Sequence, residues 1–489
     1  MKTALLSLGP MMRTAQRLNE SASGADCGGP SSSTTDALAG DAMPRRAVSI
    51  AIVGATGFTG SRIVLELARL LSTGHKAVPR GLTFAVVGRS RARLEGLITR
   101  VAAAVPGYDC SAIQLLVADS TDYHALRAVA ASCHVVLSAA GPFARLGGLL
   151  LKACVAERTH YTDVTGEPLF MERAELVLGK EAQDAGVLLV PGCGFDSIPA
   201  DVGCQFAVDA LRAAGAVATG VECYLTVHNL GAGHFATLES AVAGIGSVSE
   251  LKRVRAAFDK QHPGSRVPRF GPALRKRDKP HWASAVRAYA LPFIGADASV
   301  VRRTQRSLVS AGVAGPSAEQ LPVQFSAYVT FRSAFWLAAA TVMGSLMSSL
   351  CRWRWGRALV LAMPRSFSLN AFTHDGPTEA QMAATTFTMT FLAQGSVGTP
   401  AEVAAAKLPT NTRATVRVSG PEPGYVATPR IVLAAAFELL EATSRVPARG
   451  GVLTPAAAFR GPQSTLRARL ESMDACRFEV LQPAKTLAT

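Results

Sequence analysis

The stretch IAIVGATGFTG, Ile50 to Gly60, decides the fold. An apolar, β-branched run ends in three glycines spaced three apart, with only small or apolar residues and threonine between them. VSIAIVG forms a strand from Val48, and SRIVLELARLL carries an apolar stripe at helical spacing. A strand that ends in glycines and opens a helix is where a dinucleotide's phosphates bind. Gly54 permits the tight turn, Gly57 lets backbone approach a pyrophosphate, and Gly60 lets helix and strand pack closely. The helix N-terminus adds amide donors and the positive end of its dipole. The spacing is G-x-x-G-x-x-G rather than G-x-G-x-x-G. It is therefore the strand–turn–helix setting that favours a phosphate cradle over a plain turn.

Outward from this turn the alternation continues. LTFAVVGRS, IQLLVADS and CHVVLSAAGPF are strands, and RARLEGLITRVAAAV and YHALRAVAAS are the helices between them. LGGLLLKACVAERT, HYTDVTGE and EAQDAGVLLVPGCGFDS extend the series. Continuous apolar strands alternating with helices predict an α/β fold with a doubly wound parallel sheet covered on both faces. It should occupy residues 47–199. Residues 200–420 mix strand-like and helical stretches with long connections and predict a second, α+β domain for substrate or oligomerisation. Residues 421–489 predict a long apolar helix and a Pro/Gly-rich turn that pack back on the core. Residues 1–46 are Ser/Gly/Ala-rich and predict a flexible extension; Lys2, Arg13 and Arg17 against Glu20 give it a weak likeness to a mitochondrial transit peptide.

A length of 489 residues suits two or three domains, and 49% hydrophobic against 17% charged residues predicts that the bulk folds. The mean hydropathy of +0.23 is high for a soluble enzyme. The net charge is +15, and between Lys252 and Arg306 fourteen Lys and Arg face three acids. That block predicts an anionic partner or a solvated surface. It lacks interleaved aromatics, which disfavours nucleic acid. The nine cysteines show no C-x-x-C and no zinc-ligand spacing, so reduced thiols in an intracellular protein are expected, with no metal site.

The second strand ends in VVGRSRAR, with Arg89, Ser90, Arg91 and Arg93 and no carboxylate. An NAD site places Asp or Glu there, whereas a guanidinium matches the 2′-phosphate of NADP. NADP is favoured over NAD; Arg91 and Arg93 also suit a water-facing helix start. The cofactor-binding set is Gly54, Ala55, Thr56, Gly57, Phe58, Thr59, Gly60, Arg89, Ser90, Asp119 at the adenine edge, and Ala140 and Gly141 beneath the nicotinamide. Tyr-x-x-x-Lys, the short-chain dehydrogenase solution, is absent. Catalytic candidates come from loops at strand C-termini: Tyr161, with Asp163, and Asp196 and Ser197. Asp196 or Ser197 would equally serve as a helix N-cap. Glu167 and Tyr425 are weaker candidates.

Ser333 to Cys351 is a nineteen-residue run without charge, preceded by Arg332 and followed by RWRWGR. Three readings are open: a buried helix, monotopic insertion with Trp353 and Trp355 at the interface, or a span.

GATGFTG, VGRSRARLE, VVLSAAGPFARLG, THYTDVTGE and GFDSIPAD, in that order, resemble the saccharopine dehydrogenase-like oxidoreductases, a family that includes the actinobacterial trans-acting enoyl reductases. SGPEPGYVAT and PARGGVLTPAAAF agree. The resemblance implies a Rossmann-type domain followed by a saccharopine-reductase-like domain, and a link to lipid or glycolipid metabolism. The expected function is NADP-dependent reduction of a lipid-like enoyl or carbonyl substrate. The rival is a membrane- or lipid-droplet-associated cofactor-binding protein without catalysis. A membrane or droplet surface and a second copy are the other expected partners.

Overall fold

A computed structural model describes residues 46–486 apart from 230, 232, 276, 407, 409, 442–449 and 461–463. The N-terminal extension and its targeting likeness lie outside the described residues, as does part of PARGG. Labels go to all strands and to helices of more than two turns.

The first sheet is parallel throughout, in the order β15-β6-β5-β4-β1-β2-β3. Its strands are β1 (Val48–Val53), β2 (Phe84–Gly88), β3 (Gln114–Val117), β4 (Cys133–Ser138), β5 (His160–Asp163), β6 (Leu188–Val190) and β15 (Gly451–Val452). Helices α1 (Phe58–Ser72), α2 (Arg91–Ala104), α3 (Tyr123–Ala131), α4 (Phe143–Ala156) and α5 (Pro168–Asp184) connect the first six strands. VSIAIV and FAVVG are buried along almost their whole length because helices cover both faces. Val53 pairs with both Val87 and Ser138, so three strands end level beside the glycine turn.

Helix α6 (Ile198–Arg212) leads into a mixed sheet ordered β16-β14-β13-β7-β11-β10-β9. Its strands are β7 (Ala216–His228), β9 (His281–Ala283), β10 (Ala288–Pro292), β11 (Gln324–Phe331), β13 (Thr386–Val397), β14 (Thr412–Pro421) and β16 (Arg477–Thr486). Here burial alternates. Phe387, Met389, Phe391 and Ala393 of β13 and Ala414, Val416 and Val418 of β14 face the core, as period-2 patterning requires. Helix α6 lies so close that a Cβ on Gly203 would sit 2.4 Å from the Phe391 ring.

A smaller cluster holds α7 (Phe235–Gly246), α10 (Ala334–Leu350), α11 (Arg354–Ala362) and the two-stranded pair β8 (Gly233–His234) with β12 (Phe372–Thr373), whereas α8 (Val248–Gln261) packs on α5 and α9 (Asp297–Ser310) on α6 and β11. Helix α10 has no buried residue, which overturns the core-helix reading of the apolar run. Among the described residues no helix is long and apolar enough to cross a membrane, so the spanning reading has no helix to carry it.

The C-terminal segment is threaded through both sheets rather than laid on one. Helix α12 (Thr428–Leu440) is buried along most of its length, β15 ends the parallel sheet and β16 edges the mixed one. One apolar core joins Ile52, Leu67 and Val190 to Phe387, Phe391 and Phe437. The basic block is partly neutralised from outside itself. Arg255 pairs with Glu172 at 2.7 Å, Arg303 and Arg306 share Glu175 at 2.7 and 2.8 Å, and Arg277 meets Glu222 at 3.3 Å.

Candidate functional site

The glycine turn follows from its backbone geometry. Gly54 donates to the Val87 carbonyl at 3.0 Å and takes φ +78°, and a Cβ there would stand 2.9 Å from the Ala140 nitrogen. A Cβ on Gly60 would lie 2.1 Å from the Gly54 carbonyl oxygen, so α1 packs directly on the turn. Gly57 is exposed and is the N-cap of α1, with no side chain capping the first-turn amides. An open glycine beside uncapped amides is a cradle that fits a pyrophosphate. Ala55 is buried under the turn, while Thr56 and Thr59 are half-buried in it.

Arg89 is exposed directly after β2. Ser90 caps α2, its hydroxyl accepting from Arg93 N at 3.4 Å, and Arg91 pairs with Glu95 at 3.1 Å. Arg91 is thus engaged on its own helix, whereas Arg89 lies close enough to Asp119 for its charge to act there. Asp119 accepts from the Thr121 amide at 2.9 Å and hydroxyl at 2.6 Å; these bonds, then the charge of Arg89, lower its pKa. These residues fit the 2′-phosphate and adenosine end of NADP. Ala140 and Gly141 lead into α4, whose first amides, Phe143 and Ala144, donate to Glu167 at 3.0 and 2.8 Å. Glu167 is therefore a cap for α4, and its carboxylate is not free for chemistry.

Two catalytic candidates are corrected. Tyr161 is fully buried in the core of β5, and its hydroxyl donates to Asp163 at 2.7 Å. It cannot reach a ligand at the strand ends, because both faces of a parallel sheet are covered. Asp163 also accepts from the amides of Thr165 and Gly192 at 2.9 and 2.7 Å, and burial outweighs these bonds to push its pKa up to about 7. It ties β5 to the loop after β6. Ser197 is likewise fully buried, and its hydroxyl has no partner. It occupies the N-cap of α6, as the N-cap reading has it, but its side chain does not make the capping bond.

Asp196 keeps a position from which a ligand at the strand ends could be met. It is half-buried beyond β6, and desolvation raises its pKa. Its charge is felt by Tyr425, whose own pKa is raised, by burial first. The Tyr425 hydroxyl accepts from the His234 amide at 2.7 Å and lies 3.4 Å from the Thr237 hydroxyl. His234 stacks on Phe58 of the glycine turn at 4.5 Å, and Tyr425 meets the same ring edge-on at 4.8 Å. Phe58 thus joins the nucleotide turn to β8 and to the helical turn Pro423–Ala427 before α12. Sequence reasoning missed His234 and Thr237. The only available signal was a histidine in the glycine-flanked GAGHF. Among the described residues no cluster of His, Cys, Asp and Glu could hold a metal ion.

A parallel 3-2-1-4-5-6 sheet with an uncapped glycine turn at β1 defines a Rossmann-type dinucleotide-binding protein. Known proteins narrow that class. The family model described as the saccharopine dehydrogenase NADP binding domain matches residues 50–190. The chain is 34% identical over 423 residues to the human saccharopine dehydrogenase-like oxidoreductase, covering 86% of this chain and 94% of that one. It is 29% identical over 420 residues to the lipid droplet localized protein of Caenorhabditis elegans, covering 84% and 93%. A partial match, 38% identical over 175 residues, covers 36% of this chain and 38% of a Mycobacterium tuberculosis protein proposed as a trans-acting enoyl reductase. The chain belongs to the saccharopine dehydrogenase-like oxidoreductase family, and its cofactor is NADP.

Proposed function

We propose that this NADP-dependent oxidoreductase reduces the C=O or C=C bond of a lipid-like substrate, with Tyr425 as proton donor. The observation that carries the reading is the Tyr425 hydroxyl. It accepts a backbone amide at 2.7 Å, which leaves its own hydrogen free to point elsewhere. Burial raises its pKa, so it is protonated at neutral pH. Bound NADPH supplies a hydride. Tyr425 delivers the matching proton to the substrate oxygen or α-carbon, and Asp196 beside it offers the route by which solvent returns that proton. His234 and Phe58 fix the phenol ring against the nucleotide turn.

The lipid side of the reading draws on two relatives, one named for lipid droplets and one proposed to act on enoyl groups. It places the protein inside the cell at a membrane or droplet surface. The eight described cysteines are all free thiols, as a reducing compartment expects.

The test is NADPH consumption with long-chain 2-enoyl and 3-oxoacyl thioesters, with saccharopine as the control. Turnover of a lipid thioester is expected. Tyr425→Phe should lower kcat by about 10²- to 10⁴-fold, the usual worth of a general acid, while NADPH affinity is unchanged. Turnover of saccharopine alone would overturn the lipid reading. An unaltered kcat in Tyr425→Phe would remove Tyr425 from the chemistry.

A further inference from the structure

We infer that the corner formed by α10 and α11 is a docking surface for an anionic phospholipid leaflet. It would be the face from which the proposed lipid-like substrate is drawn, although its test reads binding and not turnover. Phe335 is 71% exposed, Trp336 56%, Trp353 62% and Trp355 61%, and Val342, Leu346, Leu359 and Met363 are exposed along the same two helices. Scattered apolar residues on a surface need no explanation, but eight exposed aromatic and aliphatic side chains concentrated on two joined helices mark a contact surface.

The corner is built to hold its shape. Cys351 and Val360 are buried against Leu238 and Val242 of α7. A Cβ on Gly356 would lie 2.1 Å from the Leu350 carbonyl oxygen, so α11 presses on the end of α10. Arg357 donates to the Cys351 carbonyl at 2.9 Å and caps α10. The Phe335 and Trp336 rings meet edge-on at 5.4 Å. The apolar side chains are thus presented outward from an anchored base.

Charge selects the occupant. From Glu319 to Asp375 the intervening sequence holds no Asp or Glu, while Arg332, Arg352, Arg354, Arg357 and Arg365 lie along it. Arg352 and Arg354 are exposed and alternate with Trp353 and Trp355. Indole rings beside guanidinium groups suit the headgroup level of a leaflet, where the ring is half-buried and the cation meets phosphate. Near the axis of a two-fold contact with a second copy, Arg352 and Arg354 would meet the same arginines, and of the five arginines Arg365 is the one paired with a carboxylate among the described residues, Asp375 at 3.5 Å. Helix α10, about 26 Å long at 1.5 Å per residue, would lie in the plane of the leaflet rather than cross it.

The test is flotation of the full chain with phosphatidylcholine vesicles, with and without phosphatidylserine. The native chain should float with the anionic vesicles and bind the neutral ones more weakly. Phe335→Ser with Trp336→Ser should lower vesicle binding at least 10-fold. Both side chains are exposed, so the protein should stay soluble with unchanged NADPH affinity, which checks that it is folded. Arg352→Glu with Arg354→Glu should remove the preference for anionic vesicles and the salt sensitivity of binding. Three of the four tryptophans lie in the corner, so vesicles should also shift native emission to the blue. Failure to float with anionic vesicles at low salt would overturn the proposal. So would a native dimer that the Phe335→Ser, Trp336→Ser variant dissociates, because a second copy would then cover the patch. Neither outcome bears on NADPH turnover.

Discussion

Asp163 is a carboxyl with three donors that still holds its proton more tightly than a free one. Burial pushes it up to about 7, and Asp201, bonded to Thr304 at 2.6 Å and the Ala456 amide at 2.8 Å, is pushed up to about 6. In the unfolded chain both fall near the ordinary aspartate value. Below that value both states are protonated; between it and the folded value only the folded carboxyl keeps its proton. Raising pH through roughly 4 to 7 therefore costs stability, on the order of 1 kcal/mol per pH unit for each group. Burial lowers the pKa of His160 to about 4, which opposes the aspartates as pH falls, so the share of Asp163 is read against a variant. Asp163→Asn keeps an oxygen for the Thr165 and Gly192 amides, and the urea midpoint of the native chain relative to this variant should rise as pH falls from 7 to 5; an unchanged difference would show Asp163 ionised in the fold. The same residue explains why Tyr161 misled the sequence reading. HYTD says that Tyr161 is near a strand end, but nothing in four residues says that both faces of the strand are covered. The preference for NADP was legible because the informative feature, a missing carboxylate after β2, is local.

At the scale of elements, the glycine turn is two devices in seven residues. Gly57 is exposed with φ −72° and ψ 170°, values that a β-branched residue adopts, and a Cβ there would lie 3.2 Å from the Gly54 oxygen, a tight contact that a shift of a few tenths of an ångström relieves. Gly57→Val should leave the fold intact and abolish NADPH binding, because its side chain fills the approach to the α1 amides. Gly60 faces inward against a backbone carbonyl that cannot step aside. Gly60→Ala should part α1 from β1 and cost about 1–3 kcal/mol, read as a lower urea midpoint. Equal stability loss in the two variants would make the whole turn structural. Elements of this kind were legible because strand, turn and helix are contiguous in sequence. Strand β15 was not: Gly451 and Val452 are too few to show a period, and their partner Leu188 lies far away in the chain. Helix α10 was legible as apolar, and its exposure was one of three open readings, since composition alone does not say whether an apolar helix lies inside or outside a core.

For the whole molecule, the C-terminal threading decides how the two sheets unfold. Helix α12 lies in a core that contains side chains from both sheets, and β15 and β16 belong to one sheet each. Unfolding either sheet therefore exposes part of the other's apolar surface, and the described chain should melt in a single transition. The buried free thiols report on each half separately. Cys133 and Cys154 belong to the parallel sheet and its helices, whereas Cys223 is in β7 of the mixed sheet and Cys476 immediately precedes β16. Burial raises the pKa of all four, so each should resist alkylation until its surroundings open. Pulsed alkylation across a urea series should give the four cysteines one common midpoint. NADPH is expected at the first sheet's strand ends, yet at a hundredfold excess over its Kd it should stabilise the whole by about 2.7 kcal/mol. The midpoints of Cys223 and Cys476 should then move together with those of Cys133 and Cys154. If NADPH protects only Cys133 and Cys154, the sheets are separate folding units, and the shared core around Phe437 does not couple them.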